Sequence, residues 1–272
     1  MTKKNNKNNN LFAFIRPSSY PIPPIRRKME VAKDLGFDVK FIGARRKRNL
    51  LKNEVWQGFN IERLGIYYPG SSWYYLIGTP IFGIITAIWL IKNKPAIIHA
   101  SDLEGIFGVK LYYILGGRSY IIYNIYDNYS LRYKVPKWMK NILNKIESGF
   151  GKCSDVVIVP DQTRLKLLLP WVPNQSVIIP NSTKDPGYKP LKINSKIKIF
   201  ASGWLVEQRG YKILGELIKK NDKVELLICG EGTKNIKDYI NTLPRTTFYG
   251  YLPQEEALKI GSNCDLIFAY YD

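Results

Sequence analysis

A chain of 272 residues with 45% hydrophobic side chains has room for two domains of ordinary size, each with a buried core. A single histidine, His99, excludes a multi-histidine metal site. The widely spaced Cys153, Cys229 and Cys264 exclude a Cys-x-x-Cys zinc site or a disulfide framework and suit a reducing cytoplasm. The net charge of +19 is uneven: residues 1–182 carry 27 Lys and Arg against 11 Asp and Glu, and residues 183–272 carry 14 against 11. That asymmetry points either to a polyanionic partner for the first part (an anionic membrane, a lipid phosphate or nucleic acid) or to a lysine-rich solvated surface.

Residues 1–10, MTKKNNKNNN, hold no hydrophobic segment of signal-peptide type and read as a disordered basic tail. Leu11 to Ile15 reads as a strand and Arg16 to Pro24 as a Pro/Ser loop. A helix follows with Ile25, Met29, Ala32 and Leu35 on one face and Gly36 as its stop. Phe37 to Ile42 then alternates as a strand, which completes a βαβ unit. The run Arg45-Arg46-Lys47-Arg48 lies in the next loop, either as a patch for anionic head groups or as a solvated loop.

From Leu64 to Ile91 there are 28 residues without a charge. The most apolar part, Tyr74 to Ile91, is interrupted by Pro80 and two glycines, rimmed by aromatic residues and followed by Lys92 and Lys94. A helix lying in the membrane interface, a buried core helix and a membrane span all remain open for it. Ala96 to His99 and Tyr120 to Ile125 read as strands around a helix ending at Leu115, with Asp102 either its cap or a polar group at the strand end. The loop Tyr126 to Tyr129 closes the second of these strands. Trp138, Ile142 and Ile146, with Met139 and Leu143 beside them, form a helix face, and Asp155 to Val159 is a strand. Asp161 can cap a helix that Pro170 ends, and Val177 to Ile179 is the last strand before a Pro-containing linker, 183–195.

Strand and helix alternate again beyond the linker. Ile197 to Ala201 breaks at Ser202-Gly203, and Ile213, Leu214, Leu217 and Ile218 are spaced for one buried helix face. Val224 to Ile228 follows, ending in Gly230-Glu231-Gly232. Ligands of parallel sheets sit beyond the carboxyl ends of the strands, where both glycine breaks fall. Glycine lets backbone N–H groups approach a phosphate, and Arg209 on the first loop can pair with its charge. A βα turn that merely needs glycine to stop a strand is the plainer alternative. The organisation expected is α/β, with a Rossmann-like domain over 11–182 and a partial one over 196–272, facing one another across a cleft.

Eight segments in order resemble one family. They are PPIRRKMEVAKDLGFDVKFIG, AIIHASDLEGIFG, YNIYDNYS, CSDVVIVPD, VIIPNS, FASGWLVEQRG, LLICGEG and FYGYLPQEEALKIGSNCDLIFAYYD. Over about residues 11–272 the chain resembles GT-B glycosyltransferases of the family 4 type. The resemblance implies two Rossmann-like domains and transfer of a sugar, of hexosyltransferase type, from a nucleotide diphosphate-sugar. The acceptor would be a lipid-linked or membrane-proximal glycan in polysaccharide or glycoconjugate synthesis. Transfer would proceed with retention, with no essential metal and no cofactor beyond the donor, on an enzyme peripheral to the cytoplasmic face of a membrane.

Carried over residue by residue, the resemblance puts Gly203, Arg209, Gly230, Glu231 and Gly232 at the donor diphosphate and ribose, and Tyr251 and Leu252 at the base. Arg26, His99, Asp102 and Tyr126 fall on the acceptor side, with Asp127 and Arg209 in the catalytic roles. Trp204 stands where the family has an arginine, and the family's "YDxHE" becomes Asn124, Tyr126 and Asp127, which loses a histidine and shortens a carboxylate. The family's Glu-x7-Glu motif comes after the point where this chain stops, at Asp272, so a second domain incomplete at its carboxyl end is expected. Two readings follow: an enzyme whose missing segment comes from a second chain, or a non-catalytic relative that sits on membranes or anionic lipid. No recognition helix, aromatic RNA-binding motif or zinc finger is visible, so no nucleic-acid partner is expected.

Overall fold

A computed structural model of the chain describes residues 10–65, 72–128, 130, 136–168, 175–181 and 196–270. The chain divides into two units, Met1–Asn181 and Ser182–Asp272. The basic tail up to residue 9, the linker over 183–195, Tyr129 and the expected helix stop at Pro170 lie outside the described residues.

Unit 1 is built on an eight-stranded sheet. Its strands are β1 (Leu11–Ile15), β2 (Asp38–Ala44), β3 (Asn53–Trp56), β4 (Phe59–Leu64), β5 (Ile97–Ser101), β6 (Tyr120–Asn124), β7 (Val156–Val159) and β8 (Ser176–Ile178). The order is β3-β4-β2-β1-β5-β6-β7-β8, with β3 antiparallel to β4 and the other pairings parallel. Helix α1 (Pro23–Asp34) covers one face, where Ile25, Met29 and Ala32 pack on Phe14, Phe41 and Ile61. The other face carries α2 (Ser72–Asn93), α3 (Asp102–Ile114), α4 (Lys137–Gly151) and α5 (Gln162–Leu167). The direction of strand order reverses between β1 and β5, so their carboxyl ends form the switch point at which α/β sheets bind ligands.

Several expectations are corrected by the packing of unit 1. Leu35 is exposed because α1 ends one residue earlier, and Gly36 follows at a φ of 87°, the left-handed conformation that closes a helix. The β3–β4 hairpin has no counterpart in the sequence reading; its Gln57-Gly58 turn has positive φ at both residues, as a two-residue hairpin requires. Asp102 does not cap α3: Ser101 occupies that position, while the Asp102 carboxylate accepts from the backbone N–H of Tyr126 at 2.9 Å. Asp161 does cap α5, accepting from the N–H of Arg164 at 2.8 Å.

Helix α4 turns its polar arc inward. Glu147, Ser148 and Gly151 are buried, whereas Trp138, Ile142 and Ile146 are 61%, 48% and 42% exposed. The cause lies in β6, whose Tyr123 is fully buried and donates its hydroxyl to Glu147 at 3.1 Å; a buried phenol needs such a partner. Helix α2 buries Phe82, Thr86, Trp89 and Leu90 and leaves Ile81, Ile84, Ile88 and Ile91 exposed as a stripe. It sits close against α3, where a Cβ on Gly108 would lie 2.7 Å from the carbonyl oxygen of Gly83. Among the described residues no helix is long and apolar enough to cross a membrane.

Unit 2 holds β9 (Ile197–Leu205), β10 (Val224–Gly232), β11 (Thr246–Phe248) and β12 (Leu266–Phe268) as a parallel sheet in the order β11-β10-β9-β12. Helices α6 (Tyr211–Lys220) and α7 (Lys234–Asn241) share a core with β9 and β10. Helix α8 (Gln254–Gly261) brings Gly261 against the Phe200 ring. Of the helix face expected over residues 213–218, Leu214 and Ile218 are buried, joined by Tyr211 and Gly215, while Ile213 and Leu217 are exposed. The buried arc is therefore centred about one position away from the one expected.

The Arg63 side chain is fully buried in unit 1. It donates to the carbonyls of Ser19 and Leu51 at 2.9 and 2.7 Å, pairs with Glu54 at 2.8 Å, and lies over the Tyr20 ring. Replacing Arg63 with Met leaves two carbonyls and a carboxylate without their donor, so urea unfolding should show a loss of about 3–5 kcal/mol.

Candidate functional site

Polar side chains of unit 1 gather at the carboxyl ends of β1, β5 and β6. Arg16, the first residue after β1, pairs with Asp102, the first after β5, at 3.1 Å. Asp102 also accepts from Tyr126 N–H, so one carboxylate ties three strand ends together. It does so with a φ of 57°, a left-handed conformation unusual for a residue with a side chain. Two cations lie near the Tyr126 ring, with the Arg16 guanidinium 5.5 Å and the Lys28 ammonium 5.0 Å from its centroid. Lys28, on α1, donates to the Tyr126 hydroxyl at 3.2 Å.

His99 lies on the same face of the sheet, stacked on Phe14 at 5.0 Å, with Nδ1 3.4 Å from the Ser101 hydroxyl. Burial, and then the charge of Lys28, push its pKa down to about 3, so the ring is neutral at ordinary pH. Burial chiefly, with the charge of Arg27, lowers Lys28 to about 8, and burial raises Tyr126. His99 Nε2 and Asn124 Oδ1 are buried without a hydrogen-bond partner among the described residues.

The remaining acceptor-side residues lie elsewhere. Arg26 is held by Glu30 at 3.4 Å and by Gln57 at 2.9 Å in the hairpin turn, so α1 contributes Lys28 rather than Arg26 to the Tyr126 cluster. Asp127 is exposed and pairs with Arg164 at 3.0 Å. Arg16 and Lys28 went unsingled in the sequence. A basic residue directly after β1 was a legible signal for the first, whereas the second depends on which face of α1 meets the sheet.

In unit 2 the candidate donor residues come together at one edge. Strands β9 and β10 do not break at Gly203 and Gly230, as expected, but run on in register to Leu205 and Gly232. Gly203 faces Gly230, Trp204 faces Glu231, and Leu205 faces Gly232. Glycine is what permits this. A Cβ on Gly230 would lie 2.0 Å from the Gly203 carbonyl oxygen, and both residues have positive φ, 148° and 132°. Gly230 N–H donates to the Gly250 carbonyl at 2.7 Å, which sets the loop bearing Tyr251 and Leu252 beside the pair. Arg209 ends the short turn Glu207–Arg209, one residue before α6, and Trp204 and Tyr251 are exposed. Among the described residues no group of three His, Cys, Asp or Glu side chains could hold a metal ion.

Solved structures share this architecture. Sucrose-phosphate synthase from Thermosynechococcus elongatus superposes with a TM-score of 0.71 over 94% of this chain and 74% of that one, at 16% identity. HepE of Anabaena, solved with UDP and glucose, gives 0.64 over 94% and 73% at 13% identity. The chain has the GT-B fold. The lipopolysaccharide outer core galactosyltransferase WaaB matches likewise, with a TM-score of 0.63 over 94% and 73% of the two chains at 12% identity. No protein-family model matches the chain, and no curated protein matches it in sequence.

His99 is the only histidine, which makes its burial simple to check. Its pKa is lower folded than unfolded, so the unfolded chain binds the extra proton between about pH 6.5 and pH 3 and the native state loses stability as pH falls through that window. The imidazole proton resonances of the native protein should stay fixed from pH 8 to pH 5 in an NMR titration, while the unfolding midpoint drops below about pH 6.5.

Proposed function

We propose that the protein is a retaining glycosyltransferase of the family 4 type that moves a sugar from a nucleotide diphosphate-sugar to a glycan acceptor. The observation that carries this reading is the meeting of Gly203, Gly230, Glu231, Gly232, Tyr251 and Leu252 at the carboxyl edge of a parallel sheet in a GT-B fold, with Arg209 in the turn that follows β9. Helices α6 and α7 start within a few residues of the β9 and β10 ends, so their N-termini and Arg209 suit the diphosphate. In the reaction the bond from the sugar C1 to the phosphate oxygen breaks, with its electron pair leaving on the nucleoside diphosphate. The acceptor hydroxyl forms the new bond to C1 on the same face, and its proton passes to the departing phosphate oxygen. Arg209 stabilises charge on the leaving group, and Asp127, held by Arg164, serves the acceptor side.

Leu266 and Ile267 on the edge strand β12 are exposed. That edge suits a further segment, from this polypeptide or a second chain, carrying the carboxylates that face the donor sugar. Calorimetry should show UDP or ADP binding to the full chain, weakened about 10- to 100-fold by Arg209→Met through loss of a charged hydrogen-bond partner. A native protein that binds neither nucleotide would overturn the reading.

The acceptor in this reading is membrane-proximal, and the protein is peripheral on the cytoplasmic face. The exposed stripes of α2 and α4 support this, as does the charge around them. Lys92, Lys110, Lys137, Lys140 and Lys145 belong to α2–α4, whereas the carboxylates of these helices, Asp102, Glu104 and Glu147, are buried. Apolar surface rimmed by cations suits anionic lipid. The protein should co-sediment with phosphatidylglycerol vesicles in preference to phosphatidylcholine ones, and Trp138→Glu with Ile142→Glu should release it. Equal recovery with both lipids, or an unaffected double variant, would remove the membrane from the proposal.

A further inference from the structure

The carboxyl edge of the unit 1 sheet holds more cation than its own carboxylates neutralise. Asp102 is engaged by Arg16, Glu54 by Arg63, Asp127 by Arg164 and Glu30 by Arg26. Among the described residues no carboxylate pairs with Lys28, although its ammonium is half withdrawn from water, and the hydrogen bond it makes there is to the neutral Tyr126 hydroxyl. Arg27 adds a second positive charge close enough to oppose protonation of Lys28. The basic segment over residues 45–48 is fastened to the same edge, since Arg46 donates to the Pro17 carbonyl at 2.7 Å and to the Ser19 hydroxyl at 3.2 Å. A half-buried ammonium without a counter-ion costs free energy unless an anion joins it.

A second observation points to the rest of the ligand. His99 Nε2 and Asn124 Oδ1 are buried and unpartnered on the same face of the sheet, one able to donate or accept and the other an acceptor. Groups of that kind at a ligand-binding edge await hydroxyls. We infer that the acceptor of unit 1 is a hydroxylated compound bearing a phosphate, with Lys28 and Arg27 taking the phosphate beside the Tyr126 ring and His99 and Asn124 taking hydroxyls. When the phosphate arrives, Lys28 turns from the Tyr126 hydroxyl to the anion and opens the way to the strand ends. A phosphate monoester suits the edge better than a carboxylate, since it brings nearly two negative charges and three acceptor oxygens to several donors, whereas a diester headgroup brings one charge and two oxygens.

The inference rests on the acceptor-side reading of unit 1, and its test is chosen to fail separately. Calorimetry on the full chain without donor compares glucose 6-phosphate, glucose, glucuronate and phosphatidylinositol vesicles. The expected result is binding of glucose 6-phosphate or of the phosphatidylinositol vesicles, according to whether the phosphate is free or in a lipid headgroup. Lys28→Met should weaken that binding about 10- to 100-fold, and Lys28→Arg should restore most of it. Equal binding of glucose or glucuronate, no binding of either phosphate, or an unaffected Lys28→Met would overturn it. Retained UDP or ADP binding in that case would leave the glycosyltransferase reading standing.

Protonation provides an independent readout. The groups facing Lys28 are Arg27 on α1, His99 on β5 and Tyr126 after β6, and Tyr126 in turn meets Arg16 after β1 and Asp102 at the start of α3. Burial keeps His99 and Tyr126 neutral near pH 8, where Lys28 titrates. An arriving anion raises the Lys28 pKa. At about pH 8.5, where the monoester of glucose 6-phosphate is already a dianion and a diester headgroup stays a monoanion, binding should therefore take up a fraction of a proton, read as a heat that varies with the buffer's ionisation enthalpy. Lys28→Met should abolish that variation, and a native protein that takes up no proton would contradict the role of Lys28.

Discussion

The acceptor edge of unit 1 depends on the Asp102 carboxylate. Its two oxygens reach Arg16 after β1 and the backbone of Tyr126 after β6, while its own backbone leaves β5 and opens α3. Three neighbouring strand ends are thereby held at the switch point of the sheet. The left-handed φ of Asp102 costs about 1–3 kcal/mol, and the charge-assisted bonds it permits offset that cost. The position of the Tyr126 ring follows from this bond, and with it the approach of Lys28 and Arg16 to that ring.

Unit 2 meets a comparable demand with less side-chain chemistry. Gly203 and Gly230 let two strands run on together, Gly203 through its positive φ and Gly230 because a Cβ there would collide with the Gly203 carbonyl. The backbone thus becomes the lining of the edge, and Glu231, Trp204 and Tyr251 are displayed around it. One unit holds its edge through a carboxylate hub and the other through close backbone approach. The difference matches their charge, since residues 1–182 are strongly basic and residues 183–272 nearly neutral.

Much of the fold was legible because most strands are short apolar runs and most βα turns carry their punctuation. Leu11–Ile15 was found to the residue, and Asp161 was recognised as a cap from its position before a helix. The β3–β4 hairpin escaped because Gln57-Gly58 is not among the commonest turn pairs and β3, beside it, buries none of its residues. Periodicity named the apolar arc of α4 and left its direction open. A helical period reports that residues share a face, and whether that face meets the core was decided by Tyr123 on β6 needing Glu147. The same limit applies to α6, where Ile213 and Leu217 lie outside the buried arc.

By itself the sequence determined the alternation of strand and helix, the basic first part, and the clustering of glycine at strand ends, because each of these is local along the chain. The order of strands was decided only in three dimensions, since β1 lies between β2 and β5 through contacts distant in sequence. So were the partners of Asp102, the choice of Lys28 over Arg26 at the Tyr126 ring, and the pairing of Gly203 with Gly230. Side chains such as these take their roles from where neighbouring elements place them, and sequence spacing carries no record of that.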